Sequence, residues 1–226
     1  MLAPAQLAGL IDHTLLKPEA TAADISRLCR EAREHAFCSV CINPVWVALA
    51  AAELRGSPVK VCTVIGFPLG ATLTAVKAAE TARVIALGAQ EADMVLNVGA
   101  LKGGQRDAVR DDLAAVTALC RAHHVVSKVI FETCLLTREE KILACQLCIE
   151  TGAHFVKTST GFSAGGATAE DLRLMSAQVK AAGLGVKASG GIRTLADALA
   201  MLDAGATRLG VSAGLKILAE ARAAAA

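Results

Sequence analysis

The sequence predicts an α/β protein of the (β/α)8 TIM-barrel class, a closed parallel sheet wrapped by outer helices. Three observations point there: eight short apolar runs, helix-period segments between them, and a spacing of about thirty residues or fewer from one run to the next. The 226 residues, read as one domain spanning 1–226, suit the roughly 250-residue size usual for this class.

The runs are LIDHTLL (10–16), FCSVCI (37–42), VKVCTVIGF (59–67), ADMVLNV (92–98), VSKVIF (126–131), HFVKTS (154–159), GVKAS (185–189) and TRLGVS (207–212). They are apolar on both faces, as strands covered by helices outside and by a filled interior must be. Amphipathic segments separate them: 21–35, 74–88, 105–123, 137–152, 167–183 and 194–205. Four of these stop at a glycine, as a helix C-terminus does. Thr21 and Thr137 each precede an acidic residue three positions on, Asp24 and Glu140, which is the signature of a capped helix start. The Ala-rich KILAEARAAAA reads as a frayed terminal helix. A doubly wound sheet is the alternative, but the one dinucleotide-like match, GLGVKA at 183–188, runs into a strand instead of leaving one for a helix.

Composition narrows the function. A hydrophobic share of 54% supports a large core, and 23 basic against 21 acidic residues give a net charge of +2, too little to gather nucleic acid or an anionic membrane. A small-molecule partner is the expectation. No run approaches the roughly 20 apolar residues of a membrane span, and the N-terminus lacks a secretory pattern, so a cytoplasmic protein is expected. Eight cysteines in a chain of this length make no disulfide scaffold and fit a reducing compartment. Cys38 and Cys41 stand an odd distance apart on a strand and point to opposite faces, while Cys145 and Cys148 share the apolar stripe of a helix. Neither CxxC pair reads as a metal or redox site.

Two strand-like runs carry a lysine where an ammonium has to leave water: HFVKTS has Lys157, and GVKAS has Lys187, thirty residues on. Removing an isolated ammonium from water costs several kcal/mol or more, so such a charge is either paired or given up. Sixth and seventh strands are neighbours about 4.8 Å apart, and two inward lysines at matching height bring their amines together. One ammonium then depresses the pKa of the other, and a neutral amine is a nucleophile toward carbonyl carbon. The alternative is a structural ion pair, for which Asp93 and Glu132 are the available carboxylates.

Glycines follow the last two strands, in SGGIR (189–193) and LGVSAG (209–214). Loops after strands seven and eight of such barrels commonly hold phosphate, because backbone N–H groups can approach the anion where no side chain intervenes. A phosphorylated substrate is the expectation.

Taken together, IDHTLLKP (11–18), SVCINP (39–44), TVIGFPLG (63–70), EADMVLNVG (91–99), KVIFET (128–133), FVKTSTGF (155–162), VKASGGIRT (186–194) and GVSAG (210–214) resemble the deoxyribose-phosphate aldolases, which are class I, Schiff-base aldolases. The resemblance spans nearly the whole chain. It implies reversible cleavage of 2-deoxy-D-ribose 5-phosphate to D-glyceraldehyde 3-phosphate and acetaldehyde, with no metal and no cofactor. It also implies Lys157 as the imine-forming lysine, Lys187 as the neighbouring cation and Asp93 as the acidic partner in proton transfer. Gly161, Gly190, Gly191, Gly210 and Ser212 would hold the phosphate, Thr14 and Cys41 would lie near the substrate, and Asp12 is a further candidate. A homo-oligomer, a dimer, would fit the family. One departure stands out: many relatives end in a tail with a terminal tyrosine that assists proton exchange, and this chain has no tyrosine. Two other readings share parts of the pattern: a Schiff-base aldolase with a different donor, and a catalytically silent sugar-phosphate binding protein.

Overall fold

The structure, a computed structural model, describes residues 2–225. Eight strands, β1 (Ile11–Leu15), β2 (Ser39–Ile42), β3 (Lys60–Ile65), β4 (Glu91–Val95), β5 (Val126–Ile130), β6 (Phe155–Lys157), β7 (Gly185–Ser189) and β8 (Arg208–Val211), pair in chain order. Every pairing is parallel, and β8 closes on β1 with Ile11 opposite Leu209. The doubly wound alternative is thereby excluded, because an open sheet has no such closing pair.

Ten helices surround the sheet among the described residues: α1 (Pro4–Ala8), α2 (Ala22–Glu34), α3 (Val47–Glu53), α4 (Thr74–Ala86), α5 (Val98–Lys102), α6 (Arg106–Ala122), α7 (Arg138–Glu150), α8 (Ala169–Val179), α9 (Leu195–Asp203) and α10 (Gly214–Ala225). The six long amphipathic segments are α2, α4, α6, α7, α8 and α9, within a few residues of the expected limits. Both expected capping boxes form, Thr21 with Asp24 and Thr137 with Glu140, and Thr194 with Asp197 makes a third. Each cap contributes on the order of 1 kcal/mol. The short α1, α3 and α5 escape a reading based on periodicity, since five to seven residues are too few to show a 3.6-residue repeat.

Two apolar regions share the burial. The main core lies between the outer strand faces and the helices, and includes Ile11, Val40, Met94, Phe131 and Leu209. A small second cluster, Leu16, Cys41, Cys62 and Val64, fills the interior on the β1–β3 side. The opposite half of the interior is charged, which is unusual for a packed barrel and marks the chemistry.

Register decides where the lysines stand. Lys157 and Lys187 are direct partners across β6 and β7, as their equal height required. β6 itself is only three residues long, shorter than the apolar run suggests, because Thr158 to Thr160 peel away into a loop. Thr158 still reaches β7, its N–H donating to the Lys187 carbonyl at 3.1 Å and its hydroxyl to the Ser189 carbonyl at 3.1 Å.

Candidate active site

Alternation along the strands sends Asp12, Glu91, Asp93, Lys128, Lys157, Lys187 and Arg208 into one interior volume. Asp93 is its hub. The Lys157 and Lys187 amines donate to Asp93 Oδ2 at 2.8 and 2.7 Å, while Lys128 Nζ donates to Oδ1 at 2.6 Å. Lys187 also pairs with Asp12, and Lys128 with Glu91 at 2.6 Å. Arg208 closes the network toward the strand starts, its Nη1 lying 2.8 Å from Asp12 and 3.0 Å from Glu91. Lys128, Lys187 and Arg208 each touch two or more carboxylates closely, whereas Lys157 shares only Asp93 and faces the mouth.

Electrostatics follow from this sharing. Burial by itself would raise the Asp93 carboxyl, but Lys128, Lys157 and Lys187 outweigh it and hold the group well below the usual carboxylate range. Asp12 is treated alike: burial pushes it up, and Lys187, Lys128 and Arg208 pull it lower. Burial would likewise lower Lys187, yet Asp12 and Asp93 raise it well above an ordinary lysine. Lys128 is raised for the same reason, with Asp93 the chief opponent of its burial.

Above the network a cavity of about 310 Å³ opens at the C-terminal strand ends. Lys157 lies at its base, and Thr14, Gly161, Gly190, Gly191, Gly210 and Ser212 all line it. So do Lys17 and Arg193, and none of the described residues lining it is acidic. Such a wall favours an anionic ligand. Gly210 is required for close packing: a Cβ there would stand 2.8 Å from Lys187 Cε, so any side chain would push the lysine from Asp93. Gly191 has φ of +83°, in the left-handed region, with open space where a Cβ would be. Larger hollows of about 420 and 670 Å³ lie at the opposite end of the barrel, and neither is lined by Lys157 or Asp93.

Most of the sequence-derived candidates thus converge, Lys157, Lys187 and Asp93 in the network and six others on the cavity wall. Cys41 lies deeper. It is fully buried beside Cys62, its register partner on β3, and Cys62 Sγ stands 3.2 Å from Asp93 Oδ1. A hydrogen bond from Cys62 brings the Cys41 thiol down to about 7 against the upward push of burial, with help from Lys187. Of the two carboxylates set against the lysines, only Asp93 pairs with them. Glu132 turns to the loop after β6, accepting from the Thr160 N–H at 3.3 Å and from the Thr160 hydroxyl. His13 points outward between Asp12 and Thr14, and its Nε2 meets Glu31 Oε2 of α2 at 2.7 Å, a structural contact. Cys145 and Cys148 are both buried on α7, and burial pushes Cys145 up to about 12.

Lys128, Glu91 and Arg208 are the members that sequence reasoning missed. The signal for Lys128 was present: VSKVIF carries a lysine in mid-run as the other two strands do. Glu91 alternates with Asp93 on β4, so the same parity that turns one inward turns the other.

Comparison with known proteins gives the family. Residues 7–220 match the model of the DeoC/LacD family aldolases. The deoxyribose-phosphate aldolase of Brevibacillus brevis is 59% identical over 212 residues, covering 94% of this chain and 95% of the relative. That of Carboxydothermus hydrogenoformans is 56% identical over 222 residues, 96% of each chain. Among solved structures, the tetrameric deoxyribose phosphate aldolase of Aeropyrum pernix superimposes with a TM-score of 0.92 at 35% identity, over 98% of this chain and 93% of the other.

Proposed function

The chain belongs to the DeoC/LacD aldolase family, and from that premise we propose how its residues carry out the reversible cleavage of 2-deoxy-D-ribose 5-phosphate to D-glyceraldehyde 3-phosphate and acetaldehyde. One observation carries the assignment: of the buried cations in the interior, Lys157 alone opens onto the cavity. Four basic side chains there, Lys128, Lys157, Lys187 and Arg208, face three carboxylates, Asp12, Glu91 and Asp93. With Lys157 as the neutral amine the interior charges balance, so the free base needed for attack is the state in which no buried cation lacks a counter-charge.

Lys157 Nζ attacks C1 of the open-chain sugar, and loss of water gives the protonated imine. Deprotonation of the C3 hydroxyl then breaks the C2–C3 bond, with its electron pair moving toward the iminium nitrogen. Glyceraldehyde 3-phosphate leaves, the enamine takes a proton at C2, and hydrolysis returns acetaldehyde and Lys157. Asp93, 2.8 Å from Lys157, is placed to accept and return protons at that nitrogen, a role worth about 10²–10⁴ in rate. Lys187 and Lys128 hold its carboxylate from both sides. The phosphate sits against Gly161, Gly190, Gly191, Gly210 and Ser212, with Thr14 near the sugar, Lys17 and Arg193 at the rim, and Cys41 buried beneath the cavity wall. This places the enzyme in deoxyribose phosphate catabolism. Eight free thiols support a reducing, cytoplasmic setting. Exposed apolar residues Leu69, Leu73 and Val76 support self-association as a dimer.

Borohydride reduction in the presence of acetaldehyde, followed by peptide mass analysis, tests the assignment. An ethyl group on Lys157 is expected, and the same label on Lys128 or Lys187 would overturn it. A second test concerns the phosphate. Gly191→Asp places a carboxylate in the loop and should raise KM for the phosphorylated sugar far more than for unphosphorylated deoxyribose. Equal losses on both substrates would move the anion elsewhere.

A further inference from the structure

Expected separation on one strand argued against a metal at Cys38 and Cys41, but register creates a different set. Cys41 and Cys62 face each other across β2 and β3, and their sulfurs lie within 4.8 Å of each other and of an Asp93 carboxylate oxygen. We propose that Cys41, Cys62 and Asp93 form a binding site for a soft divalent cation of the zinc or cadmium class, and that its occupation shuts off the aldolase.

Three features support it. The first is spacing: tetrahedral zinc with Zn–S of about 2.3 Å and Zn–O of about 2.0 Å needs donors roughly 3.5–3.8 Å apart. The Cys62 to Asp93 Oδ1 separation of 3.2 Å is already close to that. Two thiols with one carboxylate are also the donor set that soft divalent ions prefer.

The second is charge. A cation entering a nest of lysines would ordinarily be repelled. Here both sulfurs bind as thiolates, any proton still on them leaving for solvent, so the two sulfur charges offset the two of the ion. The third is that no neighbour is left without a partner. Lys128 gives up Oδ1 and its 3.3 Å contact with Cys62 Sγ but keeps Glu91 at 2.6 Å, while Lys157 and Lys187 keep Oδ2. The bound ion draws electron density from the carboxylate that serves Lys157, and proton transfer at that lysine suffers. The inhibition rests on the catalytic reading above, whereas binding does not.

Cadmium absorbance separates the two. In a Cys134→Ser background, which removes the exposed thiol, CdCl2 titration should produce an ultraviolet cadmium–thiolate band that saturates at one equivalent. Cys62→Ser should roughly halve the band, and the Cys41→Ser/Cys62→Ser double variant should abolish it. In parallel, ZnCl2 should slow cleavage at least about 100-fold, the low end of what an acid–base group contributes, and a chelator should restore it. A full band in the double variant, or no band at all, overturns the site. A band surviving Cys41→Ser at unchanged intensity would move the ion to Asp12, Cys62 and Glu91, the other close donor set, and overturn this one. A band of the expected behaviour without inhibition would keep the site and overturn its effect on catalysis.

Discussion

Replacing Lys157 with leucine should reduce aldol cleavage below about a thousandth of the parent rate while leaving the fold intact. The variant loses the nucleophile but gains no buried charge, and the two side chains have similar volume. Lys128, Lys187 and Arg208 would then face Asp12, Glu91 and Asp93 in equal number. Lys157 is the uncharged member and Asp93 keeps Lys128 and Lys187, so the exchange strands no buried charge and the midpoint of thermal unfolding should stay level. Steady-state kinetics and a melting curve check both parts. Residual cleavage above that threshold would mean that another amine forms the imine.

Asp93→Asn should be damaging in both respects. It removes the one carboxylate shared by three lysines and leaves Lys157 without an acidic partner. Activity should fall by about 10²–10⁴, the worth of a placed acid–base group. Stability should fall by about 3–5 kcal/mol, because breaking a buried pair from one side strands the opposite charge. The sign of the pH dependence follows from the shifts. Asp93 titrates well below the ordinary value of 3.8 in the folded protein, so its stabilisation is complete above that value and is lost as pH falls through the folded value. In the variant the carboxylate is gone at every pH, and Lys128 and Lys187 lose one of the groups that raise them. Their raised values stabilise the parent fully below the ordinary lysine value of 10.5, so the deficit should hold level from pH 6 and narrow only as pH rises past that value. Urea unfolding on both sides of it measures this, and a deficit that does not narrow on the alkaline side would show that the amide satisfies the amines.

The amino-acid pattern by itself determined the alternation of strands and helices, the closed barrel, the glycine loops at the strand ends and two of the interior lysines. Those features are local: apolar runs, a 3.6-residue period, caps such as Thr21 with Asp24, and lysines standing in otherwise apolar strands each leave a mark within a few residues. Even the pairing of Lys157 with Lys187 followed, since neighbouring strands of known direction leave little freedom of height. What the tertiary structure alone decided is which charges share which partner. Asp12 and Arg208 are 196 residues apart in the chain and 2.8 Å apart in space, and Asp93 gathers lysines from three other strands. Glu132, equally acidic and equally near a strand end, goes instead to Thr160. Residue type and parity say that a group faces the interior; only closure of the sheet sets the distances there, and at buried sites the Coulomb energy that separates a reactive amine from a structural one depends on those distances.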